Sequence, residues 1–186
     1  MGAGVIPFTV VDGKVSFLFQ TTFIGRKVGH LIDFGGGLGA GEDYQDTAIR
    51  EFVEETETMY FAADVQQACR TVASVGRQIP IVRALFDETL SAHPGWRCKR
   101  APGNPLKPKM WETFFIEFPY RDVKELNQEW AADNSGRFKK RRELFWVPGS
   151  KLLAIYENAP DKLWKRVRQL ENATETVHAI LRSKES

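Results

Sequence analysis

Cysteine and histidine are scarce in this sequence, and their scarcity removes several chemistries. The 186 residues hold two cysteines, Cys69 and Cys98, and three histidines, His30, His93 and His178. Neither type falls at metal-ligand spacing, so no zinc site, catalytic triad or disulfide framework is expected, only two reduced thiols. No run reaches the ~18–20 apolar residues that a membrane helix needs. A basic stretch followed by an apolar one, the mark of a secretory signal, is missing from the start. Met1-Gly2 opens like a myristoylation site, but Ile6 stands where Ser or Thr is required. A cytoplasmic location is therefore expected, and the sequon Asn172-Ala173-Thr174 is without consequence. A charge excess is missing too: 26 Lys and Arg face 24 Asp and Glu, a net +2. Nucleic acid and membrane surfaces are thus not expected partners, and any anion recognition has to be local.

What is present is ordinary globular material, 42% hydrophobic and 27% charged, in a length that suits one domain. Two strands, at 4–11 and 14–21, flank Asp12-Gly13, a strong hairpin signal. A short apolar run at 30–34 leads into Gly35-Gly36-Gly37, and a helical period begins at Asp43, which can cap it. An insertion around 60–110 is harder to read. Residues 62–75 suggest a helix and 81–86 a strand. The stretch 93–109, with Pro94, Gly95, Pro102, Gly103, Pro105 and Pro108, reads as a loop. Further strands are expected at 111–118 and 143–147, with a stop at Pro148-Gly149. A helix is expected at 122–132 and a closing helix around 160–182. The apolar face of the closing helix, Leu163, Trp164, Val167 and Leu170, suits docking on the core or pairing as a homodimer. Strands alternating with helices imply an α/β sandwich.

The helix from Asp43 carries an unusual face. Glu51, Glu54 and Glu55 stand at i, i+3 and i+4, so their carboxylates share one side, while Ala48, Ile49, Phe52, Val53 and Met59 fall largely on the other. Three like charges at that spacing repel. A solvated face tolerates such repulsion, and a hard divalent cation relieves it. Mg²⁺ takes oxygen ligands and binds through a few carboxylates together with substrate phosphates. The glycines before the helix let backbone approach a ligand, and a helix N-terminus favours anions.

Taken as one pattern, the stretch is Gly36, five residues, Glu42, seven residues, then Arg50-Glu51-Phe52-Val53-Glu54-Glu55. It resembles the signature of the Nudix hydrolases, with Phe52 at an aliphatic position and Glu57 and Thr58 in place of the closing glycine and aliphatic residue. The resemblance implies a Nudix-like α/β/α sandwich, a mixed, largely antiparallel sheet between helices. It also implies metal-dependent hydrolysis of a diphosphate linkage in a nucleotide derivative, with Mg²⁺ or Mn²⁺ as cofactor. Glu51, Glu54 and Glu55, with the carbonyl of Gly36, would hold the metal. Glu54 or Glu51 would orient or deprotonate water, and Arg50 would hold a glutamate in place. Glu42 and Gly37 would support the site. Because glutamate suits a helix better than a left-handed cap, Glu57 predicts a helix about one turn longer than usual.

Substrate contacts are sought outside the signature. Arg137, Lys139, Lys140, Arg141 and Arg142 form a basic cluster that can hold further phosphates or simply face solvent. Glu143 follows it as a candidate auxiliary acid or base. Trp96 can stack on a base or pack in the core, and Trp111 suits the core. Nucleoside triphosphates, nucleotide sugars, ADP-ribose-like dinucleotides and dinucleoside polyphosphates all remain open as substrates. So do two other roles, a Nudix-like module that binds a nucleotide without turning it over and an RNA-processing pyrophosphohydrolase.

Overall fold

The structure is a computed structural model that describes residues 1–102 and 110–185. Its centre is β1 (Gly2–Val11), buried along nearly its whole length. On one side β1 runs parallel to β5 (Trp111–Glu117). Its other side is shared between two antiparallel partners. β3 (Phe34–Gly37) takes the first half, with Gly2 opposite Gly37, and β2 (Lys14–Thr22) takes the second, with Val11 opposite Lys14. β2 then leaves β1 and pairs with β6 (Arg142–Pro148). β4 (Arg97–Lys99) closes the far edge on β5, giving the order β4-β5-β1-β2-β6. Where β2 diverges, Gln20 forms a bridge to Ile32, so the lead-in to the glycine strand lies against the second half of β2. The hairpin signal holds: Asp12 and Gly13 both have positive φ, 51° and 70°, as a tight two-residue turn requires.

Helices cover both faces of this mixed sheet. On one, α1 (Tyr44–Glu55), α2 (Val72–Ala92) and α3 (Val123–Ala132) enclose a cluster that includes Phe34, Phe52, Phe86, Phe118 and Trp130. On the other, α4 (Gly149–Asn158), the short α5 (Lys165–Arg168) and α6 (Ala173–Lys184) enclose Phe8, Phe17, Phe115, Leu163, Val167, Val177 and Ile180. The expected sandwich is the one observed.

Several expected elements are corrected. Residues 81–86 are helix, not strand, and 62–75 holds only a single 3₁₀ turn at Val65–Gln67 before α2 starts behind the capping Thr71. The β-branched run around Pro80 suggests a strand, but Val75, Gln78, Val82, Phe86 and Thr89 are the buried positions, and their spacing is helical. The closing helix is broken. A 3₁₀ turn (Pro160–Lys162), α5 and α6 replace it, with Asn172 left-handed at φ 57° before α6. Leu163, Val167 and Leu170 nevertheless reach the core. The expected stop holds: β6 ends at Pro148, and α4 starts at Gly149. Gly149 is required there because a Cβ would lie 2.4 Å from a methyl carbon of Leu181. Within the expected loop at 93–109, residues 97–99 form β4, and Gly103, Pro105 and Pro108 lie outside the described residues. Among the described residues no helix is long and apolar enough to cross a membrane.

Candidate active site

The acidic face is built where α1 passes over the glycine strand. α1 begins with a capping box: the Asp43 side chain accepts from the Asp46 N–H, and that of Asp46 accepts from the Asp43 N–H. Burial of Ala48, Ile49, Phe52 and Val53 fixes its rotation. Glu51 therefore faces β3, and its carboxylate lies so close to Gly36 that a Cβ there would sit 2.3 Å from Oε1. Position 36 must be glycine for this approach.

Arg50 is the hub of the site. Its Nε donates to Glu42 Oε1 at 2.6 Å, and one terminal nitrogen donates to Glu42 Oε2 at 3.0 Å and to the Gly37 carbonyl at 3.1 Å. The other terminal nitrogen donates to Glu51 Oε1 at 2.8 Å and, at 3.4 Å, to Glu54 Oε2. The expected reach to Glu54 is thus its weakest contact, and its main task is to tie the glycine loop to the helix. Glu42 also accepts from the Gly39 N–H and the Thr47 hydroxyl. The Arg50 guanidinium, foremost among these, holds the Glu42 carboxyl down at about 2. Burial pushes the Glu51 carboxyl up, against the pull of Arg50 and with a contribution from Glu55 and Glu54.

The three glutamates of the face separate into two kinds. Glu51 and Glu54 are partly open to solvent, with side chains 17% and 23% exposed. Glu55 is buried in a network: Oε2 accepts from the Gly35 N–H and from Gln20 Nε2, both at 2.8 Å, and Oε1 pairs with Arg142 at 3.0 Å. Arg142 in turn donates to Gln20 Oε1 at 2.6 Å. Three residues absent from the signature thus complete the site: Gln20, Arg142 and Arg70, the last donating to Glu54 Oε2 at 2.6 Å. Nothing in the sequence pairs them with the helix; strand register brings Gln20 and Arg142 to it, and the segment before α2 brings Arg70.

Glu57 does not lengthen the helix. α1 ends at Glu55, and Glu57 and Thr58 take left-handed φ of 51° and 62°. The Glu57 N–H donates to Glu54 O and the Thr58 N–H to Val53 O, the paired bonds of a Schellman cap. The glycine-type ending is kept without glycine. The Glu57 side chain is buried, and its Oε1 accepts from the Lys140 N–H at 3.2 Å. The left-handed backbone costs about 1–2 kcal/mol, and the Lys140 bond is the contact that holds the side chain there.

The other candidates scatter. Arg137 is committed to Glu129, Asp133 and the carbonyl of Gln66, and its guanidinium lies over Phe138. Trp96, 6% exposed, packs edge-on to Phe8 and stacks on His93 within the core on the far face. Its placement is that of a core residue, not a base-stacking one. Trp111 covers Gly2, Gly4 and Gly35, where any Cβ would meet its ring, and carries the Arg166 guanidinium at 4.4 Å. Glu143 alternates with Arg142 along β6 and so points to the opposite face. Lys139 and Lys140 are exposed beside Arg142. Both cysteines are free.

Among the described residues, no three His, Cys, Asp or Glu side chains converge as a ready metal cage. The donors of Glu51 and Glu54 still suit Mg²⁺ or Mn²⁺. They are hard oxygens, they stand in excess negative charge, and Mg²⁺ commonly takes only one or two carboxylates alongside substrate phosphates. Glu55, with three donors already on its carboxylate, fits as a supporting residue better than as a ligand.

Comparison with known proteins places the architecture. The structure aligns with an Ap4A hydrolase of C. elegans at TM-score 0.52 and 15% identity, over 98% of this chain and 97% of that one. It aligns with the Nudix hydrolase RenU of M. smegmatis at TM-score 0.51 and 13% identity, over 98% and 86%. The fold is the Nudix fold. No family model matches the sequence. An uncharacterized protein, L534, of Acanthamoeba polyphaga mimivirus is 40% identical over 62 residues, which span 32% of this chain and 20% of that protein.

Proposed function

We propose that this chain hydrolyses a diphosphate linkage in a nucleotide derivative with the help of Mg²⁺ or Mn²⁺. The observation that carries the reading is the Arg50 hub, which fixes Glu51 and Glu54 side by side over a glycine strand that Glu51 can approach only because residue 36 has no side chain. The similarity in fold to Nudix hydrolases, one of them an Ap4A hydrolase, supports it. A bound metal ion would neutralise the phosphates and lower the pKa of a coordinated water. Glu51 and Glu54 would hold that ion and orient the water, and either is placed to take its proton. Arg50 and Glu42 would keep both carboxylates in position, and Gln20 and Arg142 would fix Glu55 beneath them.

A second reading rests on Arg70. Its guanidinium holds Glu54 Oε2 at 2.6 Å, which leaves a metal ion only Oε1 unless that contact yields. A domain in which it does not yield would bind a nucleotide without cleaving it. The experiment is product release from a panel of nucleotide diphosphate derivatives with Mg²⁺ or Mn²⁺, beside Mn²⁺ binding measured by its electron paramagnetic resonance signal. Turnover that EDTA abolishes supports the hydrolase. Recovery of both metal binding and turnover on Arg70→Ala, in a protein that shows neither, would place the block at Arg70. Nucleotide binding with neither metal binding nor turnover would establish the second reading.

A further inference from the structure

Next to the acidic face lies a pocket of opposite character. It has a volume of about 670 Å³ and is lined by residues 22–27, residues 139–142 and Trp164. Six of its lining residues are cations: Arg26, Lys27, Lys139, Lys140, Arg141 and Arg142. No Asp or Glu lines it. Of the six, only Arg142 has a carboxylate partner among the described residues, Glu55. Its size is that of a small-molecule site, and unpaired cations gathered around one cavity repel until an anion enters. At Lys27, burial and then the Arg166 guanidinium push the ammonium below the usual lysine range.

Cations also stand at the aromatic residues of the pocket. Arg141 lies over the Phe23 ring at 4.4 Å. Lys27 and Lys165 each stand 5.7 Å from the Trp164 ring, and His30 meets its edge. The lining of the cavity is built for negative charge. It also joins the acidic face physically, because Arg142 lines the pocket and holds Glu55. Glu57 makes a second link. Its buried carboxylate accepts the backbone N–H of Lys140 and so fixes the segment that presents Lys139, Lys140 and Arg141. The glutamate that departs from the signature thus positions the wall of this pocket.

Resting on the hydrolase reading for its place in catalysis, we propose that this pocket binds the phosphate-rich part of the ligand, a chain of three or more phosphates, with Glu57 as its positioning residue. A substrate would lie with its scissile linkage over Glu51 and Glu54 and its remaining phosphates among these cations. The preferred substrates are then polyphosphate nucleotides, not two-phosphate nucleotide sugars.

Calorimetric titration of the intact protein with inorganic tripolyphosphate in EDTA tests the pocket without requiring hydrolysis. One-to-one binding is expected, weakened at least tenfold by Arg26→Ala combined with Lys139→Ala and unchanged by Arg137→Ala, whose side chain is committed elsewhere. Glu57→Gly keeps the left-handed cap but releases the Lys140 segment. It should weaken tripolyphosphate severalfold while a thermal melt shows the fold intact. ATP should bind about as well as tripolyphosphate, and orthophosphate much more weakly. Absence of tripolyphosphate binding at millimolar concentration, equal affinity in the Arg26/Lys139 variant, or tighter binding of a 5′-hydroxyl RNA oligonucleotide would overturn the proposal. Tripolyphosphate binding with no turnover of any diphosphate would remove the hydrolase reading and leave the pocket standing.

Discussion

Replacing Arg142 by methionine keeps most of the side-chain volume and removes a charge that is 6% exposed. Two contacts are lost, the 3.0 Å pair with Glu55 and the 2.6 Å bond to Gln20. Glu55 would keep only the Gly35 N–H and Gln20 Nε2 while remaining buried and charged, and Gln20 Oε1 would lose its donor. Breaking one side of a buried pair typically costs about 3–5 kcal/mol, and the orphaned amide oxygen alone about 1–3 kcal/mol. The two belong to one network and do not add, so a loss of about 3–5 kcal/mol is expected, a large share of the ~5–15 kcal/mol that holds a domain together. Urea unfolding reads it directly. With a slope near ~2–3 kcal/mol/M, the midpoint should fall by about 1–2 M. The double substitution Arg142→Met with Glu55→Gln removes the stranded charge and should recover part of the loss. Asp161→Ala, which breaks an exposed pair with Arg168, should cost under about 1 kcal/mol. A single Arg142→Met variant as stable as the wild type, or a double variant less stable than the single one, would refute the account of Glu55 as a buried, internally satisfied carboxylate.

Two further outcomes follow from the same geometry. Glu42 has its carboxyl held down to about 2 from an ordinary 4.5, so its contribution is fully present above about pH 4.5 and disappears as pH falls through about 2. The stability difference between wild type and Glu42→Gln in urea melts should be constant at neutral pH and close on acidification; a gap that does not change with pH contradicts the Arg50–Glu42 assignment. Trp96 lies in the core of the far face, so Trp96→Ala should cost about 3–5 kcal/mol of stability and leave KM for any diphosphate substrate unchanged at a temperature where the variant is folded. A large rise in KM without loss of stability would return Trp96 to the substrate site.

Local chemistry explains what could be seen in advance. Asp12-Gly13 carries its own turn geometry, Asp43 its own cap, and the aromatic and β-branched run in residues 111–117 its own strand, so these elements are legible without knowledge of their neighbours. The acidic face is equally local, because helical spacing alone brings Glu51, Glu54 and Glu55 together. The misread positions are those whose state is set by distant partners. Residues 81–86 favour a strand by composition but lie in a helix whose buried face packs on α1 and β5. Glu57 favours a helix by propensity but turns left-handed where its carboxylate accepts the Lys140 N–H. The division of labour among the three glutamates depends on Gln20, Arg70 and Arg142. These approach the helix from a strand, a connecting segment and a strand, 35, 16 and 87 residues away in the chain.

The most direct test of the central claim is the rate of diphosphate cleavage by Glu54→Gln under saturating Mg²⁺, measured beside the wild type on a turned-over polyphosphate nucleotide. Glutamine keeps the shape at position 54 but cannot supply a carboxylate to a metal ion or accept a proton from water. The account predicts a folded protein of near-normal stability whose rate falls by ~100-fold or more. Turnover within a few-fold of wild type in that folded variant would contradict it.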